Sequence, residues 1–194
     1  MREKLIEFLP EIKWIFDKKL QDAVIATYQE TLQIAGLEVE DMKKVAFVWD
    51  NISNATFSYL DHVRVVTKMC KPILAEYNVS YAEKIGYSLD KLKYSLDHDT
   101  LIAGVILHDV GKLLEYELTP DGRTVESSLG KYLRHPISGA AVAFKNGVPA
   151  NIIHIIATHS REGNGGYRSP EAIAVIKIDN MNFETIKSHS NIFL

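Results

Sequence analysis

A single cysteine, Cys70, in 194 residues excludes an intrachain disulfide and makes a thiolate zinc site a poor expectation. It sits in the helical pattern RVVTKMCKPIL, where a buried, inert thiol is expected. Long apolar runs are also missing. No stretch approaches the roughly 18 apolar residues a membrane span requires, and the charged, amphipathic start lacks the apolar core of a signal peptide. No membrane partner is therefore expected, and a cytoplasmic location is. A large excess of either charge is missing too: the formal net charge is −3 and Lys and Arg form no run, so nothing advertises duplex DNA or an anionic membrane surface as a partner. Internal repeats and low-complexity tracts are absent, and the length suits one compact domain.

What is present is mostly helical periodicity. Residues 3–9 and 11–19, separated by Pro10, and then Ala23 to Ala35, closed by Gly36, alternate charge and hydrophobe at helical spacing. They predict an N-terminal helical cap over 1–54, with Trp14, Ile15, Phe16, Val24, Ile25, Tyr28 and Leu32 as core. Val39 to Trp49 predicts a further short helix, and Asp50 to Asn54 a polar connection. From Ala55 to about Tyr77 a longer helix carries His62 on its first turns, with Pro72 a point where it could kink or break. A short helix near Tyr81 to Leu92 follows. After Lys112, alternation on both sides of Pro120-Asp121-Gly122 predicts one short β-hairpin. Helices are then expected from His135-Pro136 to Phe144, from Pro149 through His154 to His159, and from Ser169-Pro170-Glu171 onward with Asp179 inside. Residues 186–194 read as a polar tail that includes His189. The fold class is all-α.

The central stretch is Leu101 to Lys112, LIAGVILHDVGK: a buried helix, N-capped by Asp97 or Asp99, that ends in an adjacent His108-Asp109 pair. Burying an imidazole and a carboxylate without a partner is so costly that a metal ion is the first hypothesis. Side chains adjacent on a helix point about 100° apart, so the two do not duplicate each other on one ion, and the carboxylate could bridge two. His62, His108-Asp109, His135, His159 and Asp179 stand on separate helices, which a bundle can bring to one centre.

The ordered set His62, His108-Asp109, Asp179 resembles the HD superfamily of metal-dependent phosphohydrolases, and HDVGK matches its more specific HD-x-G-K form. The resemblance covers roughly residues 55–185, and the extra His135 and His159 are similar to the subset that binds two metals. A local likeness to the HD domain of bacterial exoribonucleases, in His135, His159, Glu171-Ala172 and Asp179, carries no polymer substrate with it. The resemblance implies His62, His108, Asp109 and Asp179 around one ion and Asp109, His135 and His159 around another, with Asp109 bridging. Such nitrogen and oxygen ligation suits Mn, Fe, Co, Ni or Zn. It further implies hydrolysis of a small nucleotide-like phosphoester, or phosphodiester, by a metal-activated hydroxide, with Asp109 and Lys112 as catalytic residues.

Lys112 would hold a phosphate oxygen, and Arg64, Arg134, Arg161 and Arg168 stand within a few residues of the ligands or their loop, a local concentration that favours an anionic substrate. Gly163, Gly165 and Gly166 give the loop after His159 freedom to close over a ligand. His154 falls about 140° around its helix from His159 and should face elsewhere. His98 belongs to a cap. Glu115 and Glu117 default to hairpin surface, with orientation of a ligand histidine as their functional alternative. Two other readings share these residues: a mixed-valent di-iron oxygenase acting on a small organic substrate, and a regulatory module that binds a nucleotide without turnover. The apolar N-terminal helices could bury against the bundle or against a second copy, so a homo-oligomer is open.

Overall fold

The computed structural model describes residues 1–48, 57–85 and 95–189. Its helices follow from the spacing of apolar residues and from caps that stop each one. Helix α1 (Arg2–Phe8) and a 3-10 turn (Pro10–Trp14) lead to α2 (Lys18–Ala35). Asp17 Oδ1 caps α2 by accepting from the Lys19 amide, and Gly36 ends it at φ 67°, a conformation that costs a glycine little. Leu20, Val24, Ile25, Tyr28 and Leu32 fall on one face of α2, and all are buried.

The short helix expected over Val39–Trp49 is not formed. A 3-10 turn (Val39–Lys43), closed by reciprocal hydrogen bonds between Glu38 and Asp41, is all that forms. Beyond it the chain pairs instead: the Tyr59 amide donates to Val45 O, Ala46 bridges Ser58 antiparallel, and the Ala46 amide donates to Thr124 Oγ1. The buried run Val45–Ala46–Phe47 is thus consumed by extended pairing, which its β-branched and aromatic residues also suit. Trp49 and the connection expected at 50–54 lie outside the described residues.

Helix α3 (Tyr59–Ile85) opens at a Ser58/Asp61 box in which each residue's side chain accepts from the other's amide. Pro72 does not end it, and lies on the exposed side of the helix. Tyr81 to Ile85, expected to open a separate helix, are the last residues of α3, and the rest of that expected element lies outside the described residues. Tyr59, Val63, Val66, Cys70 and Leu74 line its buried face. Burial pushes the Cys70 thiol up to about 12, so it is inert as expected.

Helix α4 (His98–Leu107) is the axis of the fold. Asp97 is its cap, its Oδ1 accepting from the Thr100 amide at 2.8 Å, and every residue from Thr100 to Leu107 is buried. Ile102, Ala103, Ile106 and Leu107 join one apolar cluster with the N-terminal helices, whereas Leu101 and Val105 join a second with α3 and the final helix. A single turn, α5 (Lys112–Glu115), follows, and then the expected hairpin of β1 (Tyr116–Leu118) and β2 (Thr124–Glu126), paired Tyr116 to Glu126, with Gly122 at φ 81° in the turn. Helices α6 (His135–Lys145) and α7 (Ala150–Thr158) and a 3-10 turn (Arg161–Gly163) lead to α8 (Pro170–His189). Ser169 Oγ caps α8, accepting from the Ala172 amide. α8 runs four residues into the stretch expected as a tail, through His189. The fold is helical apart from this hairpin and one bridge among the described residues, and no described helix is long and apolar enough to cross a membrane.

Candidate metal centre

The chain brings four histidines and two aspartates together from five places. His62 comes from the first turn of α3, His108 and Asp109 from the C-terminal end of α4, His135 from the first position of α6, His159 from the C-cap of α7, and Asp179 from the middle of α8. His62, His108, Asp109, His135 and His159 are buried, and Asp179 keeps 16% of its side-chain surface exposed. Their ring nitrogens are ordered in one sense. Nδ1 of His62 donates to Asn182 Oδ1 at 2.9 Å, that of His108 to Val105 O at 2.7 Å, that of His159 to Ile156 O at 2.8 Å, and that of His135 to Glu115 Oε2. Each outward proton is therefore held by an acceptor, and each Nε2 is turned inward.

The inward nitrogens sort onto the two oxygens of Asp109. His62 Nε2 and His108 Nε2 lie 3.2 and 3.3 Å from Oδ2, whereas His135 Nε2 and His159 Nε2 lie 3.5 and 3.4 Å from Oδ1. Asp179 Oδ1 joins the first pair, 3.2 Å from His62 and 3.8 Å from His108. Two compact donor groups result, His62/His108/Asp109 and Asp109/His135/His159, the ligand atoms of each within 4.8 Å of one another.

Two observations show that these residues fit metal ions. Two donors about 2.1 Å from a common ion stand ~3.0–3.4 Å apart, and the nitrogen-to-Asp109 separations here, 3.2 to 3.5 Å, are close to that. Asp109 Oδ2 is moreover a buried oxygen left without a hydrogen-bond partner of good geometry; Lys112 Nζ, which donates to Phe47 O, forms an ion pair with it at 2.7 Å. The electrostatics agree. Burial raises the Asp109 carboxyl, but Lys112 and His108 outweigh it and hold the group well below the usual range. Asp179 is likewise lowered, chiefly by His108 and His62 against the cost of burial. Burial pushes His135 down to about 4, which leaves its imidazole neutral and a ligand. His108 is carried up to about 10 despite burial, because Asp109 favours a cation there, and His62 rises for the same reason. A buried cluster that calls for positive charge is filled by protons or by a metal ion.

All six expected ligand positions thus converge. The cationic residues named from the sequence are distributed more widely. Lys112 is in the cluster. Arg134 flanks it, 2.9 Å from Glu162 and 3.5 Å from Glu115, and Arg161 is largely exposed with Glu162 at 3.7 Å. Arg64 pairs with Glu11 at 3.1 Å on another face of α3, and Arg168 braces the loop by donating to Thr158 O, Ser160 O and Asn164 Oδ1. Gly163 packs its Cα against Thr158, where a Cβ would meet a carbonyl oxygen at 2.4 Å. His154 faces away as expected, accepting from the Ser169 amide and stacking on Tyr167. His98 stacks on Phe16 at the head of α4.

Glu115 departs from its default reading. It is buried against His135, while Glu117 is exposed as expected. Asn182 and Phe47 were not foreseen. Asn182 stands one helical turn after Asp179, a spacing that could have drawn attention to it; Phe47 acts through its backbone carbonyl and by stacking its ring on His62, which no side-chain pattern announces.

Fold and site together define a helical domain built around a buried histidine and aspartate cluster suited to metal ions. The family can be named as well: a model of the HD domain matches residues 59–183, and the chain belongs to the HD domain family. No curated protein and no solved structure matches the chain.

Proposed function

We propose that the protein is a two-metal phosphohydrolase that cleaves a small nucleotide-like phosphoester, such as a phosphodiester. The observation that supports this most is that each oxygen of Asp109 faces its own pair of histidine Nε2 atoms. In this reading His62, His108, Asp109 and Asp179 hold one divalent ion, Asp109, His135 and His159 hold the other, and the metal is Mn, Fe, Co, Ni or Zn. When bound, such ions lower the pKa of water and offset negative charge on a phosphoryl oxygen.

The chain's own residues set the conditions for that chemistry. Asn182, Val105, Glu115 and Ile156 keep protons on the outer ring nitrogens, so all four inner nitrogens offer lone pairs. Lys112 keeps Asp109 ionised and places a positive charge where an anionic substrate would meet the site. Burial of five of the six residues excludes bulk water, and Asp179 is the one that keeps an exposed edge. Arg134 and Arg161, both near Glu162 at the rim, are the cations best placed to draw a phosphate; Arg64 and Arg168 are committed to other partners.

The test is to strip the protein with a chelator, add back each of the five metals, and follow cleavage of bis(p-nitrophenyl) phosphate. Metal-dependent release of nitrophenol is expected. Two bound ions with no release would overturn the hydrolase reading, and oxygen uptake with iron would move it to an oxygenase.

A further inference from the structure

The two donor groups differ in charge. Beside the first, His62/His108/Asp109, stands a second carboxylate, Asp179, 3.2 Å from His62; the second has only the shared Asp109 with its two imidazoles. What stands behind the histidines differs too. His62 is backed by the Asn182 carboxamide and His108 and His159 by backbone carbonyls, all neutral, whereas His135 alone is backed by a carboxylate. Glu115 is itself buried, and its Oε2 accepts both from His135 Nδ1 and, at 2.7 Å, from the His135 amide at the start of α6. Arg134 Nε lies 3.5 Å from its other oxygen.

We infer that Glu115 is the positioning residue of the second ion site, where it supplies through His135 the negative charge that the site's own ligands lack. Its double grip fixes the ring about χ1 and χ2 and seats the first turn of α6. Its charge favours the proton on Nδ1 and makes Nε2 a stronger donor, as a carboxylate behind a ligand histidine does. The two sites are thereby made unequal by design of their surroundings: the first is charged by its ligands, the second by a group one residue removed. This rests on the two-ion reading above.

Glu115→Gln keeps an acceptor for Nδ1 and removes the charge. Titration of the metal-free protein with Mn, read by calorimetry, should show two equivalents in the wild type. In Glu115→Gln the first equivalent should keep its affinity, and the second should weaken about 10- to 100-fold. Glu115→Ala should lose the second equivalent altogether, and Asn182→Ala, as the control on the other side, should weaken the first. In the metal-free proteins, nitrogen NMR of the His135 ring should report the Nδ1–H form in the wild type and a shift toward mixed tautomers in Glu115→Ala. Two equivalents of unchanged affinity in Glu115→Gln would overturn the inference while leaving the two-ion reading intact, as would parallel weakening of both equivalents, which a merely structural role would give. A wild type that binds no second ion would instead remove the reading on which it rests.

Discussion

The carbonyl oxygen of Phe47 accepts a hydrogen bond of 2.8 Å from the Lys112 ammonium, joining the N-terminal segment to the HD-x-G-K motif across 65 residues. The same ammonium lies 2.7 Å from Asp109 Oδ2 and partly neutralises the most buried carboxylate of the cluster. The N-terminal helices are therefore part of the site's scaffold. His62 is stacked on the Phe47 ring at a centroid distance of 5.3 Å, and Tyr28 of α2 donates to Ile106 O just before His108.

Lys112→Met should destabilise the metal-free protein strongly, because it leaves Asp109 buried with its largest counter-charge removed, a defect of about 3–5 kcal/mol. In a metal-loaded protein the ions would supply that charge, so the loss should be much smaller. Thermal melts with chelator and with saturating Mn test this. Equal losses under the two conditions would show that Lys112 does not balance the cluster.

Gly111→Ala should damage the site through packing. A Cβ at Gly111 would lie 2.1 Å from His135 O and 2.7 Å from the Gly139 amide nitrogen, both backbone atoms of α6, so the helix itself must move. Overpacking of this kind costs about 1–3 kcal/mol, or roughly 2–4 °C of Tm per kcal/mol in a chain of this size. Gly104→Ala, whose Cβ would come nearest the end of the Ile155 side chain rather than backbone, should cost less. Urea titrations of the two variants compare them directly, and a Gly111→Ala protein as stable as the wild type would refute the close approach.

Asp99 should make part of the stability depend on acid. Its carboxylate accepts from the amides of Phe16 and Asp17 and from His98 Nδ1, tying the start of α2 to the start of α4. Burial opposes ionisation, but these donors outweigh it and lower the carboxyl below its ordinary value. A folded-state value below the unfolded one means stability that is complete above about pH 4 and is lost as the pH falls through the folded value. Asp99→Ala should therefore cost on the order of 1 kcal/mol near neutrality and progressively less below pH 4. Urea midpoints at pH 7 and pH 3 measure both, and a difference that grows on acidification would contradict the sign.

Much of the site was legible because ligands are side chains at recurring places in a helical pattern. His108-Asp109 ends an apolar run, His135 precedes a proline at a helix start, and His159 closes another apolar helix. The glycine of HD-x-G-K also has its reason in the structure: it is where α6 comes nearest. What was hidden depends on tertiary contact. Glu115 looked like the edge of a hairpin because its neighbours Tyr116 to Leu118 do form a strand, yet the strand begins only after it. The segment from Val39 carried helical spacing, but a capping box closed its first turn and Ser58 offered its continuation a pairing partner. Arg64 was near a ligand in sequence and is engaged elsewhere in space, since the two residues from His62 on α3 turn its side chain most of the way to the opposite face, whereas Arg168, in the loop before α8, is taken up by the carbonyls of Thr158 and Ser160 on either side of His159.

The most direct measurement is the number of metal ions per chain in protein purified without chelators, compared with that in Asp109→Ala. Two ions in the wild type and none held firmly in the variant are expected, because one carboxylate faces both donor groups. Two ions retained in Asp109→Ala, or none in a wild type given excess Mn, Fe, Co, Ni and Zn, would contradict a centre bridged by Asp109.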